Sequence, residues 1–149
     1  CTGNADDDNG HGTHVAGIIG ALDNDLGIVG VAPGARLWAV KVLDSSGSGA
    51  NSGILAGIDW VVAQGDIEVI NMSLGSKEGK SPFLQQISQA TNDAINAAVN
   101  VGITVVVAAG NSADDAADYT PANAPDAITV SALADFDGLP GGLAGSTCR

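Results

Sequence analysis

Two histidines stand three residues apart in the stretch DDDNGHGTHVAGIIG, at positions 11 and 14, behind a run of acids and ahead of a row of small and apolar residues. An imidazole in such a setting can ligate a metal, cap or pack a helix, or pass a proton to and from a reacting group. Metal ligation fits poorly. His11 and His14 would share a helix face, but a structural zinc site takes about four ligands at recognisable spacing, and two more are not apparent. The HExxH arrangement fails as well, because Gly12 and Thr13 stand between the histidines and no glutamate can act as base. Packing or capping and the proton relay both stay open on these residues alone. Further along, Asn111 closes the apolar run ITVVVAAGN. As a lone asparagine after a buried strand it reads as a turn or cap residue.

Such groups need a packed domain to hold them, and 149 residues with 45% hydrophobic and 15% charged content suffice for one. Aromatics are only 3% and glycines number 21, so the core is expected to be aliphatic, with backbones in close approach. Arg36 to Leu43 reads as a strand closed by a Ser/Gly turn cluster. Ile54, Leu55, Ile58, Val61 and Val62 keep helical spacing, with Ser52 available as N-cap. Ile67 to Met72 is a short buried strand, and a helix opens at Ser81-Pro82 with Phe83, Leu84, Ile87, Ala90, Ala94, Ile95, Ala98 and Val99 on one face. Ile103 to Ala109, apolar on both sides, and Ala127 to Leu133 read as further strands. The order βαβαβ predicts an α/β fold with a doubly wound, mostly parallel sheet and helices on both faces, its functional groups gathered where strands end in loops.

Five basic residues against 17 acidic ones give a net charge of −12, which repels phosphate backbones and anionic lipid, so nucleic acid is not an expected partner. The longest apolar run, Ile103 to Gly110, falls far short of the roughly 18 residues of a membrane span, so no membrane crossing is expected. The clusters Asp6 to Asp8 and Asp114 to Asp118 read as solvated loops. The chain opens on Cys1 without an initiator Met or signal peptide and closes on Arg149 directly after Cys148, so it is expected to be cut from something longer. Whether Cys1 and Cys148 pair with each other or with other partners stays open.

Four blocks in this order, HGTHVAGIIGAL, GVAPGARLWAVKVL, VINMSLGS and VVVAAGN, resemble the subtilisin-like serine proteases, the subtilases, over about Asp7 to Val130. The resemblance implies a subtilisin-like three-layer fold, of which residues 1–149 are an incomplete part running from the catalytic-histidine segment through the oxyanion-asparagine segment. His11 is then the general base that takes the proton of an attacking serine and returns it to the leaving amine, and His14 is structural. Asn111 is the oxyanion donor. An extended peptide substrate is paired as a strand between Ser73, Leu74 and Gly75 on one side and Gly47, Ser48 and Gly49 on the other. Ala109 and Gly110 line the primary specificity pocket. A calcium site is implied from the carbonyls of Leu22, Leu26 and Ile28 with the Asn24 side chain, the remaining oxygens coming from elsewhere. Protein substrates, a propeptide and an extracellular location are implied in the same way.

The chain departs from the pattern in two places. A D-[ST]-G turn should precede His11, and the only similar string, LDSSG at Asp44, follows it and matches the substrate edge. The nucleophile belongs in a G-T-S-M-A segment after Asn111, and none of Ser112, Ser131 or Ser146 has that surround. The expectation is therefore a parent serine endopeptidase whose segment in hand is inactive alone. Two rivals stand beside it. One is a catalytically dead subtilase-like module that only binds peptides. The other is a nucleotide-binding domain suggested by GSGANSG, in which the third glycine of G-x-G-x-x-G falls at Ser52.

Overall fold

A computed structural model describes residues 5–132. The first element, helix α1 (His11–Gly20), starts where Gly10 turns the chain at φ 97°, a conformation that costs a residue without Cβ little. Helix α2 (Asn51–Gln64) opens one residue before the expected cap: Ala50 is the N-cap and offers no side chain, while Ser52 lies within the first turn. It stops at Gly65, φ 73°. Helix α3 (Pro82–Asn100) starts as expected, with Ser81 Oγ accepting from Leu84 N–H at 3.3 Å and Pro82 in the first turn. Its end is closed by Val101 and Gly102 amides returning to the Ala98 and Val99 carbonyls.

Strands β1 (Val69–Met72), β3 (Thr104–Ala108) and β5 (Ile128–Val130) form a parallel sheet in the order β1-β3-β5. Strands β2 (Ser76–Lys77) and β4 (Tyr119–Thr120) make a short antiparallel ribbon, Ser76 opposite Thr120. The architecture is an incomplete α/β domain with a parallel sheet, as the periodicity predicts. Three of the four predicted strands form, each shorter than expected, and the expected end at Leu133 lies outside the described residues.

Arg36 to Leu43 corrects the sequence reading, since it joins no ladder. Its β-branched and aromatic content is that of a strand, but a strand exists only beside a neighbour, and among the described residues none runs alongside it. It lies instead against α2, where a Cβ on Gly57 would come within 2.8 Å of Val42 Cγ1 and 3.2 Å of Val40 Cγ1. The glycine lets the segment close on the helix.

The core is aliphatic: Ile58 and Val61 of α2, Ile95 and Ala98 of α3, Met72, Ile103, Val105 and Val107. Trp60 packs on its margin and meets Trp38 edge to face at 5.9 Å. Helix α3 departs from its expected face. Phe83, Leu84 and Ala90 are exposed, while Ser88 and Thr91 are buried with Ile95 and Ala98. The N-terminal half of that helix therefore turns a polar line inward. Because β1 and β3 run parallel with Met72 opposite Val107, the segments after them, Ser73 to Gly75 and Ala109 to Asn111, emerge at the same end of the sheet.

Candidate active site

A cleft of about 490 Å³ opens beside the start of α1. His11 and Asn9 form one wall, Leu43, Ser46 to Gly49, Asn51 and Ile54 a second, and Ser73 to Ser76 with Thr120 and Pro121 a third, with Thr91 also on the lining. Of the expected residues, the structure thus gathers His11, Gly47, Ser48, Gly49, Ser73, Leu74 and Gly75 around one space, although three separate stretches of chain supply them. Ala109, Gly110 and Asn111 are not among the residues on its wall. They follow β3: Ala109 N–H donates to Val130 O at 2.9 Å, Gly110 takes φ 101°, and Asn111 is exposed in a bend. His14 does not line the cleft either, and it is exposed rather than packed on the body as its place in the helix suggested. Its amide makes the first intrahelical bond, to Gly10 O at 3.0 Å.

The wall that carries His11 is built by one carboxylate. Asp7 Oδ1 accepts from Gly10 N–H (2.8 Å) and Asn9 N–H (3.0 Å), and Oδ2 accepts from both the amide and the hydroxyl of Thr13, each at 2.7 Å. The glycine N-cap has no side chain to serve the free amides of the first turn, so this carboxylate serves from outside. These donors, the Thr13 hydroxyl foremost and then the amides of Gly10, Thr13 and Asn9, hold the Asp7 carboxyl far below the usual range. Asn9 completes the turn: its Oδ1 accepts from His11 N–H at 3.3 Å and its Nδ2 donates to Ser45 O at 3.0 Å.

The facing wall is a second aspartate-centred turn. Asp44 Oδ1 accepts from the Ser46 hydroxyl (2.6 Å), Ser46 N–H (2.8 Å) and Ser48 N–H (3.1 Å), and these contacts, the hydroxyl first, lower its pKa. Asp44 N–H donates to Ser48 O at 2.7 Å and Gly47 N–H to Asp44 O at 2.9 Å. The Ser48 amide and carbonyl are thus both turned inward to Asp44. Gly49 is seated so tightly that a Cβ there would lie 2.2 Å from Val42 O.

The third wall continues β1. Asn71 Nδ2 donates to Ser73 Oγ at 3.0 Å, and Gly75 passes so close to the ribbon that a Cβ would meet Thr120 O at 3.2 Å. The ribbon is tied down by Lys77, which pairs with Asp114 and lies 5.6 Å from the Tyr119 ring centroid. The pairing raises the Lys77 pKa and lowers that of Asp114. The aspartates of the acidic clusters are exposed, as expected of solvated loop, and they also carry partners: Asp7 caps α1, Asp8 pairs with Lys41, Asp114 holds Lys77, and Asp115 accepts from Ala117 N–H at 2.9 Å.

Sequence reasoning missed Asn9, Asn51, Thr91, Thr120 and Pro121 as cleft residues. Two signals were available: Asn9 lies two residues before His11, and Thr91 is a polar residue at a position whose helical neighbours are core.

The loop after α1 bears on the metal expectation. Gly30 N–H closes it on Ala21 O at 2.9 Å, and Asn24 Oδ1 accepts from Leu26 N–H at 3.2 Å. Leu22, Asn24, Leu26 and Ile28 are all exposed. Three backbone carbonyls and an amide oxygen are hard, uncharged donors of the kind calcium takes, fewer than the six to eight it needs. Among the described residues no group of three or more His, Cys, Asp or Glu side chains could hold a metal, and no helix is long and apolar enough to cross a membrane. Cys1 and Cys148 lie outside the described residues.

Comparison with known proteins follows the same line. The profile of the Subtilase family matches residues 2–140. Subtilisin DY of Bacillus licheniformis is 54% identical over 84 residues, 56% of this chain and 30% of that protein. The thermostable alkaline protease of Halalkalibacterium halodurans is 51% identical over 86 residues, 58% of this chain and 24% of that protein. Subtilisin E of Bacillus subtilis is 50% identical over 86 residues, covering 58% of this chain and 22% of its own length. The chain therefore matches about a quarter of the length of these curated relatives.

Proposed function

The chain belongs to the subtilase family, and from that premise we propose that it supplies the general base and the substrate cleft of a serine endopeptidase acting on extended protein substrates. The observation that carries this reading is the single cleft shared by His11, the Gly47 to Gly49 turn and the Ser73 to Gly75 segment. An imidazole at the mouth of a groove bounded by two peptide edges is suited to proton transfer at a bond held between them.

In this reading a peptide enters as an added strand, its backbone paired by Ser73 to Gly75 and by the turn around Gly49. His11 accepts the proton of a serine hydroxyl supplied by a segment outside these 149 residues, as an aspartate from outside orients the ring, and then protonates the leaving amine. Asn111 donates its carboxamide N–H to the oxyanion. Support for that role is its place at the end of β3, next to the strand that leads into Ser73. Ala109 and Gly110, small residues in the same segment, leave room for a substrate side chain. A calcium ion would be held by the carbonyls of Leu22, Leu26 and Ile28 and by Asn24 Oδ1, with further oxygens from other segments. It would stiffen the loop and take no part in the reaction. A propeptide as a folding partner and an extracellular location complete the proposal.

The test is made on the protein with its flanking sequence. Casein hydrolysis and labelling by a serine-directed fluorophosphonate are expected, and both are expected to vanish in the isolated 149-residue chain, which lacks the nucleophile. Substituting His11→Ala in the longer protein should lower kcat by roughly 10⁶-fold, the size carried over from subtilisin itself. A His11→Ala protein that hydrolyses casein at the parent rate would end the reading.

A further inference from the structure

Asp7 does more than terminate a helix. It reaches His11 only through others: Asn9, Gly10 and Thr13 donate four hydrogen bonds to its two oxygens, and those three residues surround position 11 in the chain. Position 11 is itself the first residue of α1, in the turn whose amide hydrogens have no intrahelical partner. The cap residue Gly10, at φ 97°, has no side chain to serve them.

We propose that Asp7 is a positioning residue of His11: by clamping the turn from Asn9 to Thr13 it fixes the backbone that carries the imidazole into the cleft, while the aspartate from outside orients the ring. The inference rests on the protease reading above, because it gives the clamp a chemical step to serve. A displacement of about 1 Å at a reacting group costs on the order of a hundredfold in rate, so a clamp of this kind acts on turnover more than on substrate binding. The other ionisable groups around the turn are Asp6, Asp8, His11 and His14. Asp8 is engaged with Lys41, and the hydroxyl and amide hydrogens that face Asp7 come from Thr13, Gly10 and Asn9.

The experiment uses the protein with its flanking sequence and a tetrapeptide p-nitroanilide. Asp7→Ala should lower kcat about tenfold to a hundredfold while KM stays within about threefold. Asp7→Asn, which keeps one acceptor oxygen, should recover part of the loss, and Thr13→Val, which removes only the hydroxyl donor, should lower kcat by a smaller factor. Equal kcat in Asp7→Ala and parent, or a loss confined to KM, overturns the proposal. If Asp7→Ala does not fold, Thr13→Val and Asp7→Asn decide, and unchanged kcat in both overturns it. A parent with no hydrolysis at all sinks the protease reading and this inference with it, whereas an active parent indifferent to Asp7 sinks the inference alone.

Discussion

Asn9 Nδ2 donates to Ser45 O at 3.0 Å, a contact across 36 residues that joins the turn carrying His11 to the turn carrying the Gly47 to Gly49 edge. The two turns are thereby tied together. A hydrogen bond of this kind contributes about 0.5–1.5 kcal/mol, so Asn9→Ala should let the Asp44 turn move away from the cleft and raise KM about twofold to tenfold. The Asp7 clamp stays intact in that variant and the α1 turn loses only the bond from His11 N–H to Asn9 Oδ1 at 3.3 Å, so kcat should fall by less than in Asp7→Ala. Steady-state kinetics on the parent protein check this, and a loss in kcat with KM unchanged would show that Asn9 acts on the base instead.

The two aspartate turns also predict how stability follows pH. The Asp7 carboxyl is held far below its ordinary value of 3.8 by Thr13, Gly10 and Asn9, and Asp44 is lowered by Ser46 and Ser48. A carboxyl depressed in the folded state contributes stability that is fully present above its unfolded value and lost as pH falls through its folded value. Thermal unfolding of the parent and of Asp7→Asn should therefore differ most at neutral pH. The gap should narrow only as pH drops below about 4. A gap that opens on acidification has the opposite sign and would remove Asp7 from the cap.

The helices were readable because their signals are local. Ser81-Pro82 starts α3 and Gly102 ends it on rules that involve no distant partner. Strand β3 was readable from five consecutive strand formers buried by the helices. Arg36 to Leu43 was not, since its composition is that of a strand but the ladder depends on a neighbour that lies nowhere in the described residues. Seven cleft residues could be named by resemblance, whereas the work of Asp7 and Asp44 was hidden by composition. An acidic residue that accepts hydrogen bonds from hydroxyls and amides two to six positions away looks, in sequence, like one that faces water.

Gly49 offers a sharper test of the substrate edge than any polar residue. A Cβ there would lie 2.2 Å from Val42 O and 2.8 Å from Leu43 Cδ2, and the first of these is backbone that cannot swing aside. Gly49→Ala must therefore push the edge into the cleft. Overpacking of this kind costs about 1–3 kcal/mol, and the expected result is a fall in kcat/KM together with a lower unfolding midpoint. Gly17→Ala is the control, because nothing lies within 4 Å of a Cβ at that helical position. Equal behaviour of the two variants would mean the edge has slack that the geometry denies.

The exposed apolar surface predicts how the 149-residue chain behaves alone. Leu22, Leu26, Ile28, Val29 and Val31 are all more than half exposed along and after the α1 loop, and β1 is the outer strand of its sheet with Val69 57% exposed. An unpaired edge beside apolar side chains is a template for association. Sedimentation velocity on the isolated chain should show oligomers that grow with concentration between micromolar and millimolar. Placing a charge on the edge, Val69→Lys, should reduce them without moving the unfolding midpoint much, since the side chain is already largely in water. A monomer at every concentration, with Val69→Lys indistinguishable from it, would show that the edge and the loop are screened from each other's copies.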